Sequence, residues 1–541
     1  MLSAEEIKYN LKTQQQSDNG HSDEEYTPFY DIKWKLKDNE DGEREIREIK
    51  INYFKLVNLL KSLGFRRLDI GRQSFIVRVE DNLVEEVTQQ KVIDTFIDWL
   101  NEQGGANLPD GVMKEALIDK IYKSIGTYFS DNLLNRLRSE KPISFNEHSR
   151  DQAFFYYQNG FVKVTAESIT LHPYSELHCQ IWRNQILPRS FKPMLEQDCT
   201  ANTFVQFCKN ISNNWLKHPQ SGKKQQPDRK RYEDFKSILG YCLHGYHEGK
   251  LRAIILTDSR ISEEASGRTG KTLICKSLGH MLNADKLSKT YVELNGKDFN
   301  TSDRFKYQEL AVDTKLVHIN DVGKKFSFED LFNDITEGIK CQRKNEMPFP
   351  VMCKMVISTN RTIRIHGDSA KDRSIEFEMA DYYGAEWSPE MEFGQWFFRD
   401  WEEKDWHCFD NFMLQCVQLF LQKGLQRPGA INLLTRKLHE ETAIEFVAFM
   451  EDQEIQHRQE FEKKMMLHDF KERYEDFKDL KQKTFTKWLR TWGDFHPDFG
   501  GTEESRRGGA DYIRFFWKTP PEPTAPAEQV QDEEDIPWLK D

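Results

Sequence analysis

Apolar positions along the chain switch between the helical and the strand period, and the switches divide it into elements. In INYFKLVNLLKSLGF they recur at helical spacing, QSFIVRVEDNLVEEV alternates as a strand does, and QQKVIDTFIDWLNEQ and MKEALIDKIYKSIGTYF return to the helical period. In the β-rich FFYYQNGFVKVTAESITLHPYSEL, Asn159-Gly160 stands between two strand-like runs as a hairpin turn does. These segments predict an α+β region of one or two small domains over residues 28–216, after a polar, disordered 1–27. Residues 217–231 carry Pro, Gln and Lys223, Lys224, Arg229, Lys230 and Arg231 without apolar period. They read as a basic linker, contact with a phosphate backbone being the other reading of those charges. YEDFKSILGYCLHGYHEGK then predicts a helix, LRAIILTD a strand and TLICKSLGHML a second helix.

Composition narrows the class without naming a chemistry. A chain of 541 residues is long enough for roughly three or four domains. With 38% hydrophobic and 31% charged residues and a net charge of −12, it reads as a soluble globular protein, not a membrane protein or a generally basic nucleic-acid coat. Nucleic-acid binding then depends on where Lys and Arg cluster. There is no apolar run of bilayer length and no signal-peptide core near the start, so the expected location is the cytoplasm. Nine cysteines without a C-x-x-C pair or zinc spacing predict reduced, mostly buried thiols.

The candidate chemistry lies in SEEASGRTGKTLIC, between the strand LRAIILTD and the helix TLICKSLGHML. Strand, glycine-containing loop and helix is the order in which backbone N–H groups and a helix N-terminus cradle phosphates. Gly267, Arg268, Thr269, Gly270, Lys271, Thr272 and Leu273 form that candidate cradle, with Lys271 reaching the β- and γ-phosphates and Thr272 serving Mg²⁺. The usual pattern has a further glycine where this chain has Ala265, and Glu263 and Glu264 are expected to face solvent. Two more apolar runs end in polar tips: KLVHINDV in Asn320-Asp321 and KMVISTN in Asn360. An acidic residue at such a strand end can serve the metal or the attacking water, and Asn360 can hold that water or the γ-phosphate.

SGRTGKT, VHINDV, ITEGIKCQRKNEMPFPVMCK and MVISTN, in that order, resemble the motifs of the superfamily-three helicases of viruses, phages and mobile elements. The resemblance is nearest to phage-type helicases related to poxvirus primase-helicases. It implies an α/β, AAA+-type P-loop ATPase core over 232–430 that binds ATP and Mg²⁺ and assembles as a ring, usually a homo-hexamer, around single-stranded or forked DNA. It also implies catalytic roles for Lys271, Asp321, Asn360 and Arg373, with metal at Thr272 and Asp321. Arg373 would act on the adjacent subunit, and Arg361 and Arg364 compete for that role. Lys340, Arg343 and Lys344 would line a channel hairpin with an Asn345-Glu346 tip, an ordinary solvated hairpin being the alternative. Where the family commonly has two carboxylates, Asn320-Asp321 supplies one, which implies slower hydrolysis.

Residues 431–518 read as a helical, winged-helix-like module: KKMMLHDFKERYEDF and KTFTKWLRTWGDF as helices, then SRRGGADYIRFFWK as a glycine turn and strand. Lys483, Lys487, Arg490, Arg506 and Arg507 are its candidate DNA contacts, and a packing domain with solvated charges is the other reading. The Pro-rich, acidic tail 519–541 is expected to be disordered, and its DEEDIPW resembles the tip with which single-stranded-DNA-binding proteins dock replication partners. No primase site is evident in the first 230 residues.

Overall fold

Five apolar runs form one parallel sheet within the first of two compact units, Met1–Gly429 and Ala430–Asp541. The computed structural model describes residues 28–36, 44–103, 108, 111–139, 141–213, 228–247, 249–260, 268–323, 326–361, 363, 367–496 and 498–518. The expectations for 1–27 and 519–541 lie outside them.

The strands are β1 (Ala253–Asp258), β2 (Tyr291–Asn295), β3 (Leu316–Asn320), β4 (Lys354–Ser358) and β5 (Ser374–Met379), in the spatial order β2-β3-β4-β1-β5 with every neighbouring pair parallel. Every residue of β1 and β4 is buried, which is why Ala253–Leu256 and Met355–Ile357 within them read as unbroken apolar runs. Ile254, Leu256, Val356 and Phe377 face a layer that includes helices α1 (Arg229–Leu243), α2 (Lys271–Leu282) and α3 (Glu403–Lys423). Ala253, Ile255, Val317, Ile319 and Met355 face the other way, onto Leu310, Phe328 and Leu331. The chain leaves β1 for the β2 edge and returns through β3 to β4 beside it. The segments after β1, β3 and β4 therefore open at one edge, the carboxyl edge at which open α/β sheets bind ligands.

Between β3 and β4 runs the short antiparallel hairpin Ile339–Cys341/Phe349–Val351. Its apolar residues are buried, and Phe349 meets Phe75 of the N-terminal region edge-on at 5.1 Å. That region holds the predicted helices as Tyr53–Ser62, Gln89–Glu102 and Lys114–Lys123, and Asn159-Gly160 turns the hairpin Ala153–Tyr157/Gly160–Val164.

Two expectations need correction. Arg229–Arg231 are not linker but the first turn of α1, capped by Asp228, whose carboxylate accepts from the Arg231 N–H at 2.9 Å. The Arg231 guanidinium is buried over Phe377 and donates to the Glu378 carbonyl at 2.6 Å, so its charge serves packing. Cys199 and Cys408 are joined in a disulfide, because the fold sets the short helix Glu196–Cys199 against the first turns of α3, 209 positions away. Cys208, Cys242, Cys275, Cys341, Cys353 and Cys416 are free and buried, and Cys179 is free and half-buried.

The second unit packs helices Leu433–Glu441, Ile444–Glu451, Lys463–Arg473 and Gln482–Phe495 against a three-stranded antiparallel sheet. Phe446, Phe470, Phe485, Trp492 and Phe515 form its core. The expected glycine turn and strand is a hairpin of two strands, Phe499–Arg507 and Ala510–Trp517. Among the described residues no helix is long and apolar enough to cross a membrane.

Candidate functional site

The loop from β1 enters α2 through Arg268, Thr269 and Gly270. Gly267, Ala265 and the Glu263-Glu264 pair lie outside the described residues. Gly270 caps α2 with φ +107°, and a Cβ there would stand 2.7 Å from Cζ of Phe207, so the position demands glycine on both counts. The first-turn N–H groups of Lys271, Thr272 and Leu273 carry the positive end of the helix dipole. They border a cleft of ≈ 320 Å³ at the carboxyl edge of the sheet. Asn320 and Asp321 enter it from the end of β3, and Ser358, Thr359 and Asn360 from the end of β4.

Lys271 is only 8% exposed. Its Nζ forms an ion pair with the buried carboxylate of Asp258, the last residue of β1, and lies 3.4 Å from Thr269 Oγ1. The Thr269 hydroxyl donates to the same carboxylate. Thr272, in contrast, is exposed.

Asp321 adopts φ +59°, a left-handed conformation that a short polar side chain tolerates. Its Oδ1 accepts from Asn360 Nδ2 at 3.4 Å, its Oδ2 pairs with Lys297 at 3.1 Å, and its N–H donates to Ser358 Oγ at 3.3 Å. The adjacency of β3 and β4 thus joins the two polar strand tips.

Behind them runs a polar network. Asn320 donates from Nδ2 to Glu293 of β2 at 2.7 Å and accepts at Oδ1 from Ser358 Oγ at 2.9 Å. His318 contacts Ser358 Oγ through Nε2 at 2.9 Å and the Tyr291 hydroxyl through Nδ1 at 3.0 Å. His318 and Asn320 hold the Glu293 carboxyl below the usual carboxylate range. Thr272, Asp321 and Asn320 offer oxygen donors that suit a hard cation such as Mg²⁺. Among the described residues no group of three His, Cys, Asp or Glu could hold a metal ion. A cation in this cleft would therefore need oxygens from a bound ligand as well.

Arg373 does not reach the cleft of its own chain. It precedes β5, and its carbonyl accepts from Ala253, the first residue of β1, at 2.8 Å. The length of a six-residue strand, about 20 Å, separates that edge from the cleft. Its guanidinium donates to Ser369 Oγ at 2.6 Å and lies over Phe332. Arg361 is exposed beside Asn360, and Arg364 lies outside the described residues.

On the hairpin, Lys340 and Lys344 are exposed, and Asn345 turns the tip with φ +63°. Arg343 is directed inward: it donates to the Leu310 carbonyl at 2.8 Å, lies over Phe349 and stands 3.5 Å from Glu86. In the second unit, Lys483, Lys487 and Arg490 are exposed on one face of Gln482–Phe495, at spacings of four and three. Arg490 pairs with Glu504, Arg507 with Glu460, and Arg506 with Asp511 at 3.8 Å.

Sequence reasoning missed Asp258, Glu293, His318 and Ser358. Only Asp258 carried a signal, as an acid ending a buried strand just before the loop.

No family profile and no curated protein sequence matches the chain. Solved structures similar to it include the A form apo structure of the NrS-1 C-terminal region, 13% identical with a TM-score of 0.36. Another apo structure of the same region is 14% identical with a TM-score of 0.36, and each match covers 85% of this chain and 98% of the other.

Proposed function

We propose that the chain is an ATP-driven DNA helicase of the superfamily-three kind, with an AAA+-type ATPase core that works as a homo-hexameric ring in replication of a phage or mobile element. The observation that carries this reading is the convergence of Lys271, Thr272, Asp321 and Asn360, from three separated segments, on one cleft. The N–H groups of the first turn of α2 and the Lys271 ammonium bind the β- and γ-phosphate oxygens. Thr272 and Asp321 would hold Mg²⁺ together with the phosphates, and the ion would supply neutralisation of their charge. Asp321 and Asn360 orient a water for attack at the γ-phosphorus, and Asp321 takes its proton. The bond to the β-phosphate oxygen breaks, and ADP and phosphate leave.

Arg373 serves the cleft of the neighbouring subunit, since its own is out of reach. The exposed Lys340 and Lys344 present charge to a DNA strand, giving sequence-independent, salt-sensitive binding. The second unit is read as a winged-helix module presenting Lys483, Lys487 and Arg490 from a helix and Arg506 and Arg507 beside its hairpin turn. The acidic tail docks a replication partner, and the work is done in the cytoplasm.

Two observations favour a second reading, a nucleotide-dependent loading platform with weak hydrolysis: Lys271 is occupied by Asp258, and Asn320 stands where a second carboxylate would speed hydrolysis. ATP hydrolysis with and without single-stranded DNA, beside a Lys271→Ala control, separates the two. Stimulation by DNA that vanishes in the control supports the motor. ATP-dependent assembly on DNA without turnover supports the platform, and absence of both sinks the nucleotide reading.

A further inference from the structure

The cleft is short of negative charge for a site that must hold a divalent cation. Asp321 is the one acid among its described lining residues, and its carboxylate is shared with Lys297 at 3.1 Å and Asn360 at 3.4 Å. A carboxylate stands directly behind the neighbouring residue. Glu293 pairs in register with His318 on β3, and its side chain leans along the strand to accept from Asn320 Nδ2 at 2.7 Å.

That bond fixes which way the amide faces. With Nδ2 committed to Glu293, Asn320 Oδ1 points to Ser358, whose hydroxyl donates to it at 2.9 Å, and both residues line the cleft. A carboxylate hydrogen-bonded behind a ligand orients it and raises its basicity. The same polarisation makes a carbonyl oxygen a better donor to a hard cation. Glu293 keeps 40% of its side chain exposed, so its charge remains solvated and needs no buried counter-ion.

We propose that Glu293 is a positioning residue that supplies, through Asn320, the negative charge missing from the strand end Asn320-Asp321, and so sets the affinity of the cleft for Mg²⁺ with nucleotide. The proposal rests on the nucleotide reading above, and the two can fail separately.

The test is titration of the full chain with a fluorescent ATP analogue at graded Mg²⁺ and in EDTA, with thermal melting of each protein alongside. Glu293→Gln keeps the shape and removes the charge. It is expected to need about tenfold more Mg²⁺ for half-maximal binding while binding in EDTA is unchanged. Adding Asn320→Asp to that variant returns one charge to the strand end and is expected to restore the wild-type Mg²⁺ dependence. This double variant also decides the matter should the single one fail to fold. Wild-type Mg²⁺ dependence in Glu293→Gln, or no restoration in a folded double variant, overturns the proposal. A wild-type chain that binds no analogue at any Mg²⁺ concentration removes instead the nucleotide reading beneath it.

Discussion

The ammonium of Lys271 is held by the carboxylate of Asp258, so the cation expected to meet phosphate is already paired with an anion of its own chain. Both side chains are buried, which strengthens the pair and makes any rearrangement a choice between two charge partners. A triphosphate entering the cleft must draw Lys271 away while Asp258 stays close to the phosphates. Asp258→Asn removes the competitor and the repulsion together. Hydrogen bonds to charged groups contribute about 1.5–3 kcal/mol, so nucleotide affinity is expected to rise by about tenfold or more. Titration with a labelled ATP analogue measures this, and weaker binding would show that Asp258 instead aims Lys271 at the phosphates.

Gly270→Ala tests the loop's geometry. The substitution puts a Cβ at φ +107° and 2.7 Å from the Phe207 ring, so either the backbone or the Phe207-containing helix Thr203–Ser212 must move. Strained backbone of this kind costs about 1–3 kcal/mol. The variant is expected to melt at lower temperature and to lose nucleotide binding, because the N–H groups of the first turn of α2 no longer converge. Calorimetry and the same titration report the two effects separately, and unchanged binding would mean that the cradle tolerates a shifted cap.

The strand and helix on either side of the loop and the two polar strand tips were legible because each is a local pattern: an apolar run of fixed length closed by a turn or a polar residue. What the sequence could not show is what faces those patterns from elsewhere. Phe207, which forbids a side chain at position 270, comes from a helix before α1, and Glu293 meets Asn320 only because β2 and β3 are neighbours. Arg343 reads as part of a basic tip with Lys340 and Lys344. Its closest partners, the Leu310 carbonyl and Glu86, are remote in sequence, so charge pattern alone could not tell it from the exposed lysines.

Lys354 begins β4 fully inside the unit, with Nζ donating to the Tyr241 and His244 carbonyls and lying 4.1 Å from the Tyr241 ring centre. Burial lowers its pKa to about 7. Between that value and the ordinary lysine value near 10.4, the unfolded chain holds a proton at this site that the folded chain has lost, so stability rises with pH. Below pH 7 both forms are protonated and the contribution is constant. Relative to Lys354→Met, the wild-type chain is therefore expected to gain up to about 1.4 kcal/mol per pH unit on going from pH 7 to 9. Urea unfolding of both proteins at the two pH values measures the difference, and a flat difference would show that the two carbonyls keep the ammonium charged.

Arg373 sits at the amino edge of the sheet, one strand length from the cleft at the carboxyl edge, so any catalytic role must be played on another subunit. Arg373→Ala is accordingly expected to bind nucleotide as the wild type does while hydrolysis falls by about 10³-fold, the lower end of what such arginines contribute. The decisive measurement mixes this variant with Lys271→Ala, each inactive alone. In a mixed ring, an Arg373→Ala subunit offers an intact cleft, and a Lys271→Ala neighbour offers an intact arginine, so some interfaces are complete. Partial recovery of hydrolysis in the mixture, absent from either protein alone at the same total concentration, is the expected result. A mixture as inactive as its components, with mixed assembly verified by cross-linking, would remove Arg373 from the reaction and leave the exposed Arg361 beside Asn360 as the guanidinium to test next.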